Sequence, residues 1–273
     1  MIAPSWFHQQ IIDRGIQFFC GVPDSLLKPY CNHVHLNEPH RHIVTANEGA
    51  AVALAAGHYL GTQTPALVYL QNSGLGNMVN PLVSLASREV YGFPMVLLIG
   101  WRGEPGRPDE PQHQVQGRIT PALLECLGVP YAILPKSQND IVSVMNQMTQ
   151  ELKNSPGPFA IVVPKGRFES VAFNPSSAST FTREDAVRTI AEALPDQSRV
   201  VATTGKISRE LYEYRDRSQT SGNLDFLTVG SMGHASAIAL GLARSQPNRP
   251  VVCIDGDGAM LMHLGTVPTI AVE

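Results

Sequence analysis

With 273 residues, the chain has room for one large domain or two medium ones with substantial cores. Hydrophobic residues make up 43% and charged residues 16%, against roughly 25% charged in an average soluble domain, so extensive burial is expected, including a subunit interface. A net charge of −3 with scattered basic residues excludes the electrostatic footprint of a nucleic-acid binder.

No run approaches the roughly 20 apolar residues that span a bilayer. The start, Met1-Ile2-Ala3-Pro4-Ser5-Trp6, lacks the form of a signal peptide. Cys20, Cys31, Cys126 and Cys253 lack the paired spacing of a zinc site. A reduced, cytoplasmic protein is expected.

In chain order, the pattern predicts a helix over 5–15, a strand over 17–22, a helix over 24–34 and a short strand at 42–44. Residues 48–60 are too long and alanine-rich for a strand and read as a close-packed helix. A strand at 66–70, a helix over 76–90 and a strand at 95–99 follow. A long polar loop is expected over 101–118, then a helix at 120–127, a strand at 130–134, a helix at 138–153 and a strand at 159–163.

The run Asn174-Pro175-Ser176-Ser177-Ala178-Ser179 reads as a linker by composition. Beyond it the rhythm restarts: helix 183–194, strand 199–203, helices 206–216 and 232–245, strand 250–255 and a helix from 258. Continuous apolar strands separated by helices mark parallel sheets covered on both faces. The expected fold is α/β, with two three-layer α/β/α domains and mostly parallel sheets, the second incomplete. The expected boundaries are 1–170, a linker over 171–182, and 183–273.

The run Val251-Val252-Cys253-Ile254 empties into Asp255-Gly256-Asp257-Gly258-Ala259. Glycines let the backbone approach phosphate oxygens, a helix start offers unpaired N–H groups, and an aspartate ligates hard cations. Glycine-flanked aspartates also occur in plain turns, and 273 − 257 leaves 16 residues for any further ligand. Glu48, in Thr45-Ala46-Asn47-Glu48, admits two readings. It is a first-turn carboxylate in a capping box with Thr45, or a carboxylate held at the mouth of a parallel sheet where ligands bind.

Gln71-Asn72-Ser73-Gly74-Leu75-Gly76-Asn77 is an ordinary strand–helix turn or a polar loop beside the same crevice. Thr203-Thr204-Gly205-Lys206 ends a strand where backbone and lysine could meet phosphate, although a single lysine is more often simply solvated. In Gly230-Ser231-Met232-Gly233-His234, the flanked Met232 presses on something planar or fills a core.

Taken in order, Gly21-Val22-Pro23-Asp24-Ser25, Asn47-Glu48-Gly49-Ala50, Asn72-Ser73-Gly74-Leu75-Gly76-Asn77, Asp109-Glu110-Pro111-Gln112-His113, Gly230-Ser231-Met232-Gly233-His234 and Gly256-Asp257-Gly258 resemble the phosphonopyruvate decarboxylase family. These are thiamine-diphosphate enzymes related to sulfopyruvate decarboxylase, and the resemblance runs over essentially the whole chain. It implies an N-terminal pyrimidine-binding domain and a C-terminal diphosphate-binding domain, joined too closely for a third domain between them. The activity implied is that of a carboxy-lyase converting 3-phosphonopyruvate to phosphonoacetaldehyde and CO2 in phosphonate biosynthesis, with thiamine diphosphate and Mg2+ as cofactors.

By the same resemblance, Glu48 matches the glutamate that hydrogen-bonds the cofactor's aminopyrimidine, and His113 joins it as a catalytic candidate. Asn72, Gly74, Gly205, Lys206, Gly230, Ser231, Met232, Gly256, Gly258 and Ala259 would hold the cofactor, and Asp257 the Mg2+. Asp24, Ser25, Arg102 and Arg107 are the candidates for a small anionic 2-oxo acid substrate. An active site shared between subunits implies a homo-oligomer.

The pattern departs at the metal motif, which in the family continues past the Gly-Asp-Gly turn to asparagine ligands absent here. Sulfopyruvate or another 2-oxo acid is the alternative substrate, and a catalytically silent truncated subunit the alternative of another class. A generic dinucleotide binder ranks low, because no Gly-x-Gly-x-x-Gly follows the first strand.

Overall fold

The computed structural model describes residues 1–172, 180–195, 197–219 and 224–273. The expected linker over 174–179 lies outside the described residues. The chain divides into two compact units, Met1–Asn174 and Pro175–Glu273.

The first unit runs α1 Pro4–Ile12, β1 Phe19–Gly21, α2 Lys28–Asn37, β2 His42–Val44, α3 Glu48–Thr62, β3 Ala66–Gln71, α4 Leu75–Pro81, β4 Met95–Trp101, α5 Pro111–Cys126, β5 Tyr131–Ile133, α6 Gln138–Asn154 and β6 Pro158–Pro164. Its sheet is wholly parallel, in the order β2-β1-β3-β4-β6-β5. Alternate strand residues feed opposite cores. Leu67, Tyr69, Val96 and Leu98 face one cluster with Phe7, Tyr30, Ile141 and Met145. Val68, Leu70, Leu97 and Ile99 face the other, with Ala51, Val52, Ala55, Met78 and Leu124. The period of two along each strand therefore places helices on both faces. Helix α6 meets its core through Ile141, Met145, Met148 and Leu152, a spacing of three and four that makes one helical stripe.

Two expectations change here. The polar loop expected over 101–118 gives way at Pro111 to α5, which runs on into the helix expected at 120–127 and carries Gly117 and Pro121 in its interior. Proline has no N–H to give the carbonyl four residues back, which is that of Gly117. Trp101 supplies the replacement: its indole N–H donates to the Gly117 oxygen at 2.8 Å. Glycine at 117 is also a steric need, since a Cβ there would overlap the Gly103 carbonyl.

Likewise the helix expected over 76–90 ends early. Leu75–Pro81 is α-helical, but Pro81 interrupts the ladder, and Leu82–Ala86 continues as a π-turn. The Asn77 carbonyl, which Pro81 cannot satisfy, lies 2.7 Å from where a Cβ on Gly49 would be, so α3 and α4 meet through a glycine.

The second unit runs α7 Arg183–Ala193, β7 Arg199–Ala202, α8 Lys206–Arg217, β8 Asp225–Leu227, α9 Ala235–Ser245, β9 Val251–Ile254, α10 Asp257–Met262 and α11 Thr266–Val272. Three parallel strands lie in the order β8-β7-β9. The short β8, with its alternating Asp-Phe-Leu, is not among the expected strands, and the helix expected from 232 begins at Ala235.

Both sheets reverse their direction of growth beside their first strand: β1 is flanked by β2 and β3, and β7 by β8 and β9. At such a switch point, the loops leaving the carboxyl ends of neighbouring strands diverge and open a crevice for ligands.

Candidate active site

In the first unit, the loops after β1, β2, β3 and β4 bring the expected residues to one edge of the sheet. Asn47 caps α3, accepting the Ala50 N–H at 2.9 Å. The capping box between Thr45 and Glu48 is therefore not formed, and Glu48 turns inward as the first helical residue, only 4% exposed. Its Oε2 accepts from Asn77 Nδ2 at 2.7 Å. The rest of the carboxylate lies against the bare Cα of Gly74, where a Cβ would overlap it. A buried glutamate needs such partners, since an unpaired charge away from water is costly. Asn77 lies in the quoted Asn-Ser-Gly-Leu-Gly-Asn run without having been singled out.

Asn72, expected at the cofactor, is engaged within its own chain. It is fully buried, its Nδ2 donating to the Arg102 carbonyl at 2.8 Å and to Thr120 Oγ1 at 2.9 Å, while its Oδ1 accepts from Arg102 N at 3.1 Å. This amide staples the end of β3 to the end of β4 and to α5.

Asp24, after β1, is buried, with Oδ2 accepting from the Leu26 and Leu27 amides at 2.9 and 3.0 Å. It lies over β4 at Gly100, whose missing Cβ makes the room. Its Oδ1 is buried with no hydrogen-bond partner among the described residues. Desolvation pushes this carboxyl up to about 6, against the lowering by the two amides and by Arg102.

Arg102 reaches Ser25 Oγ with Nη1 at 3.1 Å, and Ser25 is exposed. Its other edge is held by Asp109, Nε donating to Oδ2 at 2.9 Å and Nη2 to Oδ1. Asp109 also accepts from Gly103 N and Glu110 N, each at 2.8 Å, and is held well below the usual carboxylate range, first by the Arg102 hydrogen bonds. His113, in the first turn of α5, keeps a buried Nδ1 without a hydrogen-bond partner among the described residues. Its pKa is lowered by burial and then by the Arg102 charge. Arg107 is not brought to this group: it pairs with Glu104 at 2.9 Å and donates to the Lys165 carbonyl at 3.2 Å.

In the second unit, the loops after β7 and β9 form the corresponding edge. Gly205 takes φ +92° and passes the chain into α8 at Lys206, which is exposed. Thr203 Oγ1 and Asp255 Oδ2 are buried without hydrogen-bond partners among the described residues; both stand in the runs quoted above, though neither was named as a site residue. Gly256 lies beside Thr203, and a Cβ on Gly258 would be 3.5 Å from Met232 Cε. Ser231 adopts a left-handed φ of 51° after Gly230. Gly233 is closed over by the Ala259 carbonyl and Met262, so that the Met232 loop and the Gly-Asp-Gly turn pack together. Asp257 is exposed, its Oδ1 accepting from Gly258 N at 2.8 Å.

These features fit a diphosphate held by a strand–turn–helix with glycines at the approach. Among the described residues no group of three or more His, Cys, Asp or Glu side chains could hold a metal alone. A cation at Asp257 would complete its shell with phosphate oxygens and waters, as Mg2+ commonly does.

Known proteins resemble this chain in both units. Residues 5–123 match the family described as "Thiamine pyrophosphate enzyme, N-terminal TPP binding domain", and residues 203–273 match its C-terminal TPP binding domain. A phosphonopyruvate decarboxylase of Streptomyces viridochromogenes is 37% identical, over 94% of this chain and 66% of that protein. One from Streptomyces hygroscopicus is 36% identical, over 99% of this chain and 70% of that protein. A sulfopyruvate decarboxylase of Methanosarcina acetivorans is 31% identical, over 95% and 69%. The chain carries the N- and C-terminal domains of a thiamine pyrophosphate enzyme. Within that class, the chain belongs to the phosphonopyruvate decarboxylase family, and it spans about two thirds of the length of these relatives.

Proposed function

We propose that the chain acts as a carboxy-lyase on 3-phosphonopyruvate, releasing phosphonoacetaldehyde and CO2 with thiamine diphosphate and Mg2+ as cofactors. The observation that carries this reading is the content of the two switch-point crevices. One holds a buried glutamate pinned by Asn77 against a bare glycine, and the other a Gly-Asp-Gly turn beside unsatisfied Thr203 and Asp255 oxygens. The likeness to the two Streptomyces proteins supports phosphonopyruvate over other acids.

Thiamine diphosphate, when bound, supplies the electron sink for loss of CO2 from a 2-oxo acid. Glu48 holds a proton against the aminopyrimidine ring nitrogen, its carboxylate kept in place by Asn77. Gly205, Gly256 and Gly258 let backbone N–H groups meet the diphosphate, with Lys206 adding charge. Asp257 ligates the Mg2+, and Met232 supports the cofactor's middle. Asp24 and His113 are the groups that hold or give a proton near the substrate. Assembly as a homo-oligomer is part of the reading. It is supported by Leu60, Val83, Val90 and Tyr91, large apolar side chains exposed on the first unit, and light scattering of the purified chain measures it.

The direct experiment follows aldehyde release from 3-phosphonopyruvate, 3-sulfopyruvate and pyruvate with both cofactors present. The phosphonate is expected to react fastest. Equal rates with pyruvate would remove the substrate assignment, and cofactor binding without turnover of any acid would favour a silent subunit.

A further inference from the structure

Among the expected cations, the structure separates one from the rest. Arg107 is spent on Glu104 and a backbone carbonyl, whereas Arg102 stands at the edge of the first unit's crevice beside Asp24 and Ser25. Its placement is unusually constrained. Asn72 bonds both its N–H and its C=O, Asp109 takes the Nε–Nη2 edge of the guanidinium, and Ser25 receives Nη1. A guanidinium has five N–H groups in a fixed fork, so donors remain on the terminal nitrogens after these contacts, and no other partner for them occurs among the described residues. Asp109 in turn is fixed by the Gly103 and Glu110 amides, so the pair cannot swing as a flexible arm would.

We infer that Arg102 reads the second anionic group of the substrate, a phosphonate or sulfonate on the carbon next to the keto group, and that Asp109 is the positioning residue that aims it. The inference rests on the proposed 2-oxo acid decarboxylase reading and names the head-group reader within it. Planar fork recognition suits tetrahedral oxyanions, and the exposed Ser25 hydroxyl beside Nη1 offers a further hydrogen bond to the same oxygens. Asp109 leaves the fork with a fixed heading, while the neighbouring buried Asp24 is a reason for the site to admit an anion only where the guanidinium meets it. Asp109 was quoted in the sequence motif, but nothing in the sequence tied it to Arg102.

The test has a binding arm and a turnover arm. 3-Phosphonopropionate carries the phosphonate and the carboxylate without the keto group, and propionate lacks the phosphonate. Each is titrated calorimetrically into the full chain loaded with thiamine diphosphate and Mg2+. Asp109→Asn and Arg102→Lys are each expected to weaken 3-phosphonopropionate at least tenfold relative to propionate. Arg102→Lys keeps the charge and loses the fork, so it carries the test should the Asp109 variant fail to fold.

In turnover, the ratio of kcat/KM for 3-phosphonopyruvate over pyruvate is expected to fall at least tenfold, through KM rather than kcat. Variants within twofold of wild type, an equal loss for both ligands or both acids, or no binding of 3-phosphonopropionate to wild type would overturn the inference. A wild-type chain that turns over no acid but shows the binding pattern would defeat the decarboxylase reading and leave the Arg102 assignment standing.

Discussion

At the scale of single residues, Glu48 and Gly74 form a pair locked by close contact. A methyl group on Gly74 would overlap the buried Glu48 side chain from Cγ to the carboxylate that Asn77 holds. Gly74→Ala is therefore expected to cost about 1–3 kcal/mol while displacing the carboxylate, with melting temperature and turnover measured side by side. Glu48→Gln retains shape and loses the proton function, and a loss of about 10²–10⁴-fold in kcat is expected.

Asp24 makes a prediction in pH. Its carboxyl is raised to about 6 by burial, so the native state binds this proton more tightly than the unfolded chain. The contribution is complete below the unfolded chain's value of 3.8 and is lost as pH rises through about 6. Asp24→Asn should therefore gain stability over wild type at pH 7.5, by about 2–3 kcal/mol at most, and show no such gain at pH 4; melting curves at the two pH values decide it.

The position of Glu48 at a strand's carboxyl end was legible in the sequence, but the partner that turns it inward was not. Asn77 and Asn47 are both ordinary polar residues until the chain is folded, and the choice between them as cap and as clamp is made by geometry.

At the scale of elements, the alternation of apolar strands and helices was readable because burial on both faces leaves continuous hydrophobic runs. What misled was α5. Glycine and proline inside a helix count against it by propensity, and here both are explained by neighbours: Gly103 needs the space at 117, and Trp101 fills the carbonyl that Pro121 abandons. Tertiary contacts decided the element against its local preference.

The two substitutions should differ in kind. Trp101→Phe leaves one buried carbonyl unmet and is expected to cost about 1–3 kcal/mol. Gly117→Ala sets a methyl group against backbone that cannot retreat and is expected to cost about 3 kcal/mol or more. Urea titrations compare them, and equal values would mean that α5 has room to shift.

At the scale of the whole molecule, the first unit has two extensive cores on a six-stranded sheet, whereas the second has two small ones on three strands. Met260 and Leu261 of α10, Leu264 in the turn after it and Ile270 of α11 are exposed. Hydrogen exchange is therefore expected to be faster across β7, β8 and β9 than across β3, β4 and β6. Thiamine diphosphate with Mg2+ should slow it most around the starts of α8 and α10, and saturation at about 100 times Kd would add about 2.7 kcal/mol. Uniform exchange through both sheets would contradict this division.

The indole that replaces a missing amide in α5 also serves the experimenter. Both tryptophans, Trp6 and Trp101, lie in the first unit, so tryptophan emission, excited selectively over tyrosine, watches one half of the chain and is blind to the other. Circular dichroism sums over both halves. Where the two signals part company during denaturation, the difference between the curves belongs to the diphosphate-turn half, and no dye or engineered label is needed to see it melt.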